Sequence, residues 1–384
     1  MPQSQYKYES DYPDLIKFAC NEPTIGASKF CFFHDKDHYA EYEEKALERF
    51  EEKVRESICE KKSLECFGYY LPEINFADLL KEKYFTQPVY FNEANFYDVA
   101  NFSDVRFSKT VDFSQAIFLR STSFRDTIFS QSAYFSHATF PRGEYLEPIF
   151  SHATFSEEAY FDGATFPQGA DYSKVIFFKE ARFQNATFKH ALFPEAEFSK
   201  EASFDNVRFN ERADFSEAKF FEEAGFYNAT FEKLAFFSEA IFSQRADFSE
   251  AKFFEEADFE GATFSGLTTF FGAKFLNDVY FLKNDFTGKT FFRHTLFEKP
   301  NKVTFDDTDL SNVSFADSDI TRIRFSDKIR WGGNDRLTII EEEWLKRKAQ
   351  EKNDAEDAKK FVRHRLSLKT LQYTVFLNRG VIKM

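Results

Sequence analysis

The sequence predicts an all-β solenoid, a coil built from four short strands per turn, and three observations carry that prediction. The first is a clock: from about residue 91 to residue 325 an aromatic residue returns at steps of five and six residues in alternation. It is clearest in Phe215, Phe220, Phe226, Phe231, Phe237, Phe242, Phe248, Phe253, Phe259 and Phe264. The second is a small residue two places before each ring, as in Ala213, Ala218, Ala224 and Ala229. The third is composition: Phe supplies 56 of 384 residues, most of them on the clock, while Ser, Asp, Glu, Lys and Asn fill the places between. A fixed internal period outranks any other signal in a chain, because it marks stacked identical units.

Each element follows from that clock. A step of five matches neither the helical nor the strand period. If every unit makes one short strand and one corner, strand alternation puts the Phe and the Ala two before it on the same face, and both point inward. Four units close a turn. Because every second step holds six residues, a turn takes about twenty-two residues with two diagonal corners lengthened, giving a rectangular section. Roughly forty-four ring positions between Phe91 and Phe325 then make about eleven turns and a rod of about 50 Å. Burying a Phe contributes about 1.5–3 kcal/mol, so a rod filled with rings offsets the entropy of ordering a long chain. The clock falters twice. Between Phe140 and Phe155 the steps become five, five and five through Tyr145 and Phe150, with Gly143 and Pro148 in the small positions. Between Phe297 and Phe305 the gap widens around Lys299-Pro300-Asn301, which predicts a loop bulging from one corner.

Near the C-terminal end the five-residue unit appears undisguised in Val303-Thr-Phe305-Asp-Asp, Thr308-Asp-Leu310-Ser-Asn, Val313-Ser-Phe315-Ala-Asp, Ser318-Asp-Ile320-Thr-Arg and Ile323-Arg-Phe325-Ser-Asp. The chain resembles a pentapeptide-repeat protein of the branch centred on Phe rather than Leu. That resemblance implies a right-handed quadrilateral β-helix; the inserted sixth residue at alternate corners departs from the common pattern.

The expected organisation is an N-terminal cap over 1–88, the β-helix over 89–326 and a helical C-terminal cap or tail over 327–384. A coil exposes unpaired backbone at both ends, and such edges need covers. Between Asp35 and Lys62, Tyr39, Tyr42, Ala46, Phe50, Val54 and Ile58 recur at three- and four-residue steps, an amphipathic helix. Arg336 to Leu368 is charged and helix-prone, with Ile339, Ile340, Trp344, Phe361 and Val362 as its apolar contacts, and Leu371 to Met384 lies outside the repeat pattern. The resemblance implies that C-terminal helices can mediate a homodimer.

A net charge of −14 argues against direct binding to nucleic acid or an anionic membrane surface. No stretch approaches the roughly 18 apolar residues of a spanning helix, and Met1-Pro-Gln-Ser-Gln is not a basic leader followed by an apolar run, so a cytoplasmic protein is expected. All four cysteines, Cys20, Cys31, Cys59 and Cys66, precede the repeats, so disulfides do not hold the coil together. Cys20, Cys31, His34 and His38 carry the thiolate and imidazole chemistry of a zinc site, but the cysteine spacing is wider than in a finger. Buried free cysteines in a small cap are the alternative, and no metal or cofactor is assigned. No nucleophile with a base, phosphate-cradling loop or paired-carboxylate motif is readable, which points to a non-enzyme without catalytic residues.

Function is expected through protein–protein contact on the flat faces of a rigid rod. Outward aromatics, Phe221 and Phe254 foremost, with Phe178, Phe271, Tyr134 and Tyr160, are candidate anchors, and Glu222, Glu223, Glu255 and Glu256 are their charged neighbours. The alternative is a mimic of duplex DNA that binds a type II topoisomerase such as gyrase, a behaviour implied by the resemblance alone. Stacking at about twenty-two residues sets Glu217 under Glu239 but Glu223 under Arg245 and Lys233 under Glu255, so ladders of mixed sign are expected. Inward assignment of the small residues is testable: Ala229→Leu overfills the interior and lowers the melting temperature, whereas Glu232→Leu leaves it nearly unchanged; equal melting temperatures would contradict it.

Overall fold

The structure is a computed structural model that describes residues 3–9, 17–24, 29–37, 42–80, 82–141 and 149–331. Its body is a four-sided β-solenoid in which two-residue strands pair in parallel with the strand one turn later. Four faces follow one another along the chain. The first is an unbroken ladder of 12 strands from Leu64–Glu65 to Val313–Ser314. The second runs from Tyr70–Leu71 to Leu296–Phe297, and the third from Ile74–Asn75 to Arg324–Phe325. The fourth holds nine strands from Tyr84–Phe85 to Thr263–Phe264. The second and third ladders each pass through a single bridging residue, Thr139 and Ile149 respectively. The coil therefore makes about twelve turns rather than eleven, because stacking begins at Leu64, ahead of residue 89.

Register follows from the rings. Phe220 pairs with Phe242 and Phe231 with Phe253, always one turn on. Within a column the rings lie parallel at nearly the strand repeat: Phe231 to Phe253 is 4.6 Å with the planes 1° apart, and Phe220 to Phe242 is 4.9 Å. Across the interior, first-face and third-face rings meet edge to face, as Phe226 and Phe237 do at 5.4 Å and 88°. Positive ring edges thus face negative ring faces, the arrangement an aromatic quadrupole prefers. Every Phe and Ala named on the clock between Ala213 and Phe264 is buried.

The two step lengths make two kinds of corner. At five-residue corners the chain closes a hydrogen-bonded turn: the Ala229 N–H donates to the Phe226 carbonyl at 3.1 Å, with Asn228 left-handed at φ 52°. His137, His152 and His294 occupy this left-handed place, which Asn, Asp and His tolerate better than most residues. Gly163 holds it one turn above His137, and a Cβ there would come within 2.5 Å of that imidazole. At six-residue corners the amides bond to the neighbouring turn instead, the Phe221 N–H to the Phe198 carbonyl and the Ala224 N–H to the Arg245 carbonyl. The longer corners lie at the second-to-third and fourth-to-first edges, diagonally opposed as the spacing predicts.

Both irregularities fall on the second-to-third edge. Phe140 belongs to the second column and Phe150 to the third, where it stacks 4.8 Å from Phe124. Phe140 and Phe150 thus stand on consecutive faces, and Gly143, Tyr145 and Pro148 between them lie outside the described residues. The wide gap near Pro300 is a short 3-10 turn, Pro300–Lys302, and the third column passes it intact, Phe281 lying 4.7 Å from Phe305.

Before the coil comes helix α1, Glu43–Glu60, which buries Ala46, Phe50, Val54 and Ser57. Ile58, assigned to the apolar stripe by spacing, is instead exposed; Ser57 takes the inward place and donates to the Lys62 carbonyl at the helix end. Phe50 lies 6.4 Å from Phe76 and 6.3 Å from Phe91, over the open end of the ring columns. No helix among the described residues is long and apolar enough to cross a membrane. The expected C-terminal helices, and the stretch from Leu371 to Met384, lie outside the described residues.

Tyr replaces Phe at one ring position in the middle of the coil. Tyr172 sits in the third column, 4.7 Å from Phe150 and 4.6 Å from Phe193, with its hydroxyl fully buried and unpaired. Leaving such a group unsatisfied costs about 1–3 kcal/mol. Tyr172→Phe is expected to raise the melting temperature in a thermal unfolding scan; a lower value would show that the hydroxyl has a partner.

Candidate interaction surface

With the interior filled by rings, chemistry is confined to edges and outer faces. Phe221 follows the inward Phe220 on the fourth face and is 44% exposed, and Phe254 follows the inward Phe253 on the second face and is 40% exposed. They therefore stand on diagonally opposite edges, and one flat partner surface does not reach both. Their acidic neighbours are engaged between turns: Glu222 with Lys200, Glu223 with Arg245 at 2.9 Å, and Glu255 with Lys233 at 2.7 Å. Glu256 lies beside Glu255, its backbone carbonyl accepting from Ala235. Exposed pairs of this kind contribute about 0–1 kcal/mol each, so their main effect is to cancel charge along the rod.

The first face has a different character. Backbone bonds from Ala133, Ala159, Ala181 and Ala202 to the carbonyls of Glu158, Glu180, Glu201 and Glu223 place those four glutamates on successive turns at the fourth-to-first edge. At a strand repeat of about 4.8 Å their carboxylates crowd one another. Partial burial, then the charges of Glu180 and Glu223, push the Glu201 carboxyl above its ordinary range. Arg182 answers part of the charge, 3.6 Å from Asp162 and 3.7 Å from Glu180, and lies over the Tyr160 ring, itself stacked 4.8 Å from Tyr134. Arithmetic at a constant twenty-two misses this ladder because one turn is a residue shorter: Ala181 pairs with Ala202, whereas Ala202 pairs with Ala224.

Above Glu223 the same edge changes sign and then polarity, through Arg245 to Leu267. Here the first face turns apolar. Leu267 is 47% exposed at one border, Tyr227 and Phe271 at the other, and Phe291 stands between them in register with Thr269. Phe271 meets His294 edge-on at 5.5 Å. Of these four, Phe271 alone is among the anchors read from the sequence; Tyr227 follows the inward Phe226 in the same way, while Leu267 and Phe291 join them only once the turns stack.

A second assembly of chemistry-bearing groups lies ahead of the coil. Cys20, Cys31 and His34 are buried, and their donor atoms all lie within 4.8 Å of one another. Cys20 Sγ is 3.7 Å from Cys31 Sγ, and Cys31 Sγ is 3.2 Å from His34 Nδ1. Hydrogen bonding from Cys31 pushes the Cys20 thiol down to about 5, while the same contact and burial raise Cys31. His38 lies outside the described residues. Cys66 is buried apart from this group, and desolvation pushes its thiol up to about 12.

A family model described as pentapeptide repeats (9 copies) matches residues 85–142, 146–187, 183–230, 193–241 and 226–274. Among solved structures, the chain is similar to HetL, a pentapeptide repeat protein involved in heterocyst differentiation regulation from the cyanobacterium Nostoc sp. strain PCC 7120. The likeness has 11% identity and a TM-score of 0.23, and covers 63% of this chain and 86% of that one. No curated protein sequence matches.

Proposed function

Because the chain belongs to the pentapeptide-repeat family, we propose that it is a non-enzymatic cytoplasmic scaffold that binds a protein partner along the first face of its coil. The observation that carries this reading is the cluster of Leu267, Phe271 and Phe291, large apolar side chains exposed on two adjacent turns, with Tyr227 two turns before Phe271 along the same border. A rod that already buries its rings gains nothing from holding further large apolar side chains in water, and contiguous exposed apolar surface marks interaction sites. The ladder of Glu158, Glu180, Glu201 and Glu223 on the same face supplies the second half of the surface. A complementary partner presents an apolar patch flanked by basic side chains, its charges steering association and its apolar contact holding the complex.

Duplex mimicry is the weaker reading. The acidic ladder spans four turns and ends at Arg245, and the Lys233–Glu255 and Lys219–Glu197 pairs interrupt negative charge elsewhere. A phosphate mimic needs a continuous stripe. The test is site-specific photo-crosslinking in cells, with the reactive group placed at position 271 or, off the first face, at 254 on the second-to-third edge. A partner captured from 271, and lost when Leu267→Ser and Phe291→Ser are combined in a variant of unchanged circular dichroism, is the expected outcome. Equal capture from both positions, or inhibition of gyrase supercoiling that survives the apolar substitutions and disappears with Glu180→Gln and Glu201→Gln, would overturn it.

A further inference from the structure

We propose that Cys20, Cys31 and His34 form a structural zinc site that fastens the segment before α1 to the first turn of the coil. The site is independent of the partner-binding face. Zinc bound tetrahedrally by thiolate at about 2.3 Å and imidazole at about 2.0–2.1 Å sets its ligand atoms about 3.8 Å apart for two sulfurs and about 3.5 Å apart for sulfur and nitrogen. The distances here are 3.7 Å and 3.2 Å, close to those edges. Two thiols and one imidazole also match the soft donor set zinc selects.

The histidine is prepared for the role. Its Nε2 lies 2.9 Å from the Phe67 carbonyl, which can only accept, so Nε2 carries the proton and Nδ1 presents its lone pair towards Cys31. A ring N–H given to a backbone carbonyl is the usual outer partner of a metal-ligating histidine. Tyr6 stacks on the same ring at 3.9 Å and Tyr69 meets its edge at 5.1 Å, fixing the orientation. Three protein ligands leave one coordination position for a fourth donor.

Its structural consequence can be read from the same contacts. Cys20 follows the strand Lys17–Ala19, Cys31 and His34 lie in the next loop, and Phe67 belongs to the first turn. Phe33, beside His34, stacks 4.1 Å from Tyr69. A metal would join the stretch holding Cys20 to the one holding Cys31 and His34, and the His34 Nε2 hydrogen bond to Phe67 carries that tie to the first turn of the coil.

The experiment is metal analysis of the full chain purified without chelator, followed by removal and reconstitution with cobalt. About one equivalent of zinc, and a thiolate-to-cobalt charge-transfer band on reconstitution, are expected. Cys20→Ser, Cys31→Ser and His34→Gln should each abolish the band, while Cys59→Ser retains it. Less than about a tenth of an equivalent of zinc with no cobalt band overturns the proposal. So does a Cys20–Cys31 disulfide, seen as loss of two thiol hydrogens in the intact mass, or metal retained by the Cys20→Ser, Cys31→Ser double variant. Where a variant fails to fold, the cobalt spectrum of the unaltered chain decides.

Discussion

Everything in this molecule depends on rings stacked at the strand repeat. A parallel ladder fixes successive turns about 4.8 Å apart, and a Phe at the same place in each turn puts its ring above the last at nearly that distance. Backbone pairing and ring stacking therefore select one register together. A slip of one residue would send every ring to solvent and every Ser or Glu inward, which is why two-residue strands suffice here. The alanine two places earlier leaves the width that the ring occupies. Because first-face and third-face rings interlock edge to face, neighbouring turns also grip one another across the axis, and the coil behaves as a one-dimensional crystal with nearest-neighbour contacts.

A core so fully specified leaves the outside free. Side chains on outer faces and corners are chosen by what stacks above and below them, so an interaction surface takes the form of ladders along the rod rather than a pocket. Most ladders alternate in sign and cancel. The first face differs: its border carries glutamates on four successive turns, the last paired with Arg245, and then gives way to exposed leucine and aromatic side chains. The opposite long edge, from the second face to the third, absorbs both insertions in the repeat. The insertions and the proposed interaction face thus lie on different sides of the coil.

Much of this was legible in the residues. The four-sided coil, the inward Phe and Ala, the diagonal placement of the longer corners and the turn-to-turn pairs Glu223–Arg245 and Lys233–Glu255 all follow from counting. What escaped has physical causes. Cys66 and Leu71 hold ring places of the first turn without being aromatic, so a clock set by Phe starts late. Phe150 takes the third column directly after Phe140 in the second, so even steps of five between them do not each mark a new face. Ile58 yielded its place to Ser57 because the helix ends there and its last turn is decided by a cap, not by periodicity. One shortened turn displaced the glutamate ladder from the arithmetic. The Cys20, Cys31 and His34 cluster was visible as residue types, but its compactness depends on contacts with Phe67 and Tyr69 that no spacing encodes.

The central claim is that the ring pointing in, and not its neighbour pointing out, holds the coil together. Phe220 and Phe221 separate the two roles within one dipeptide, the first fully enclosed in the fourth column and the second standing in solvent. Thermal and chemical unfolding of Phe220→Ala and Phe221→Ala tests this most directly. The account predicts a loss of about 3–5 kcal/mol for the former and about 0.5 kcal/mol or less for the latter. Equal losses, or a greater one at Phe221, would contradict it.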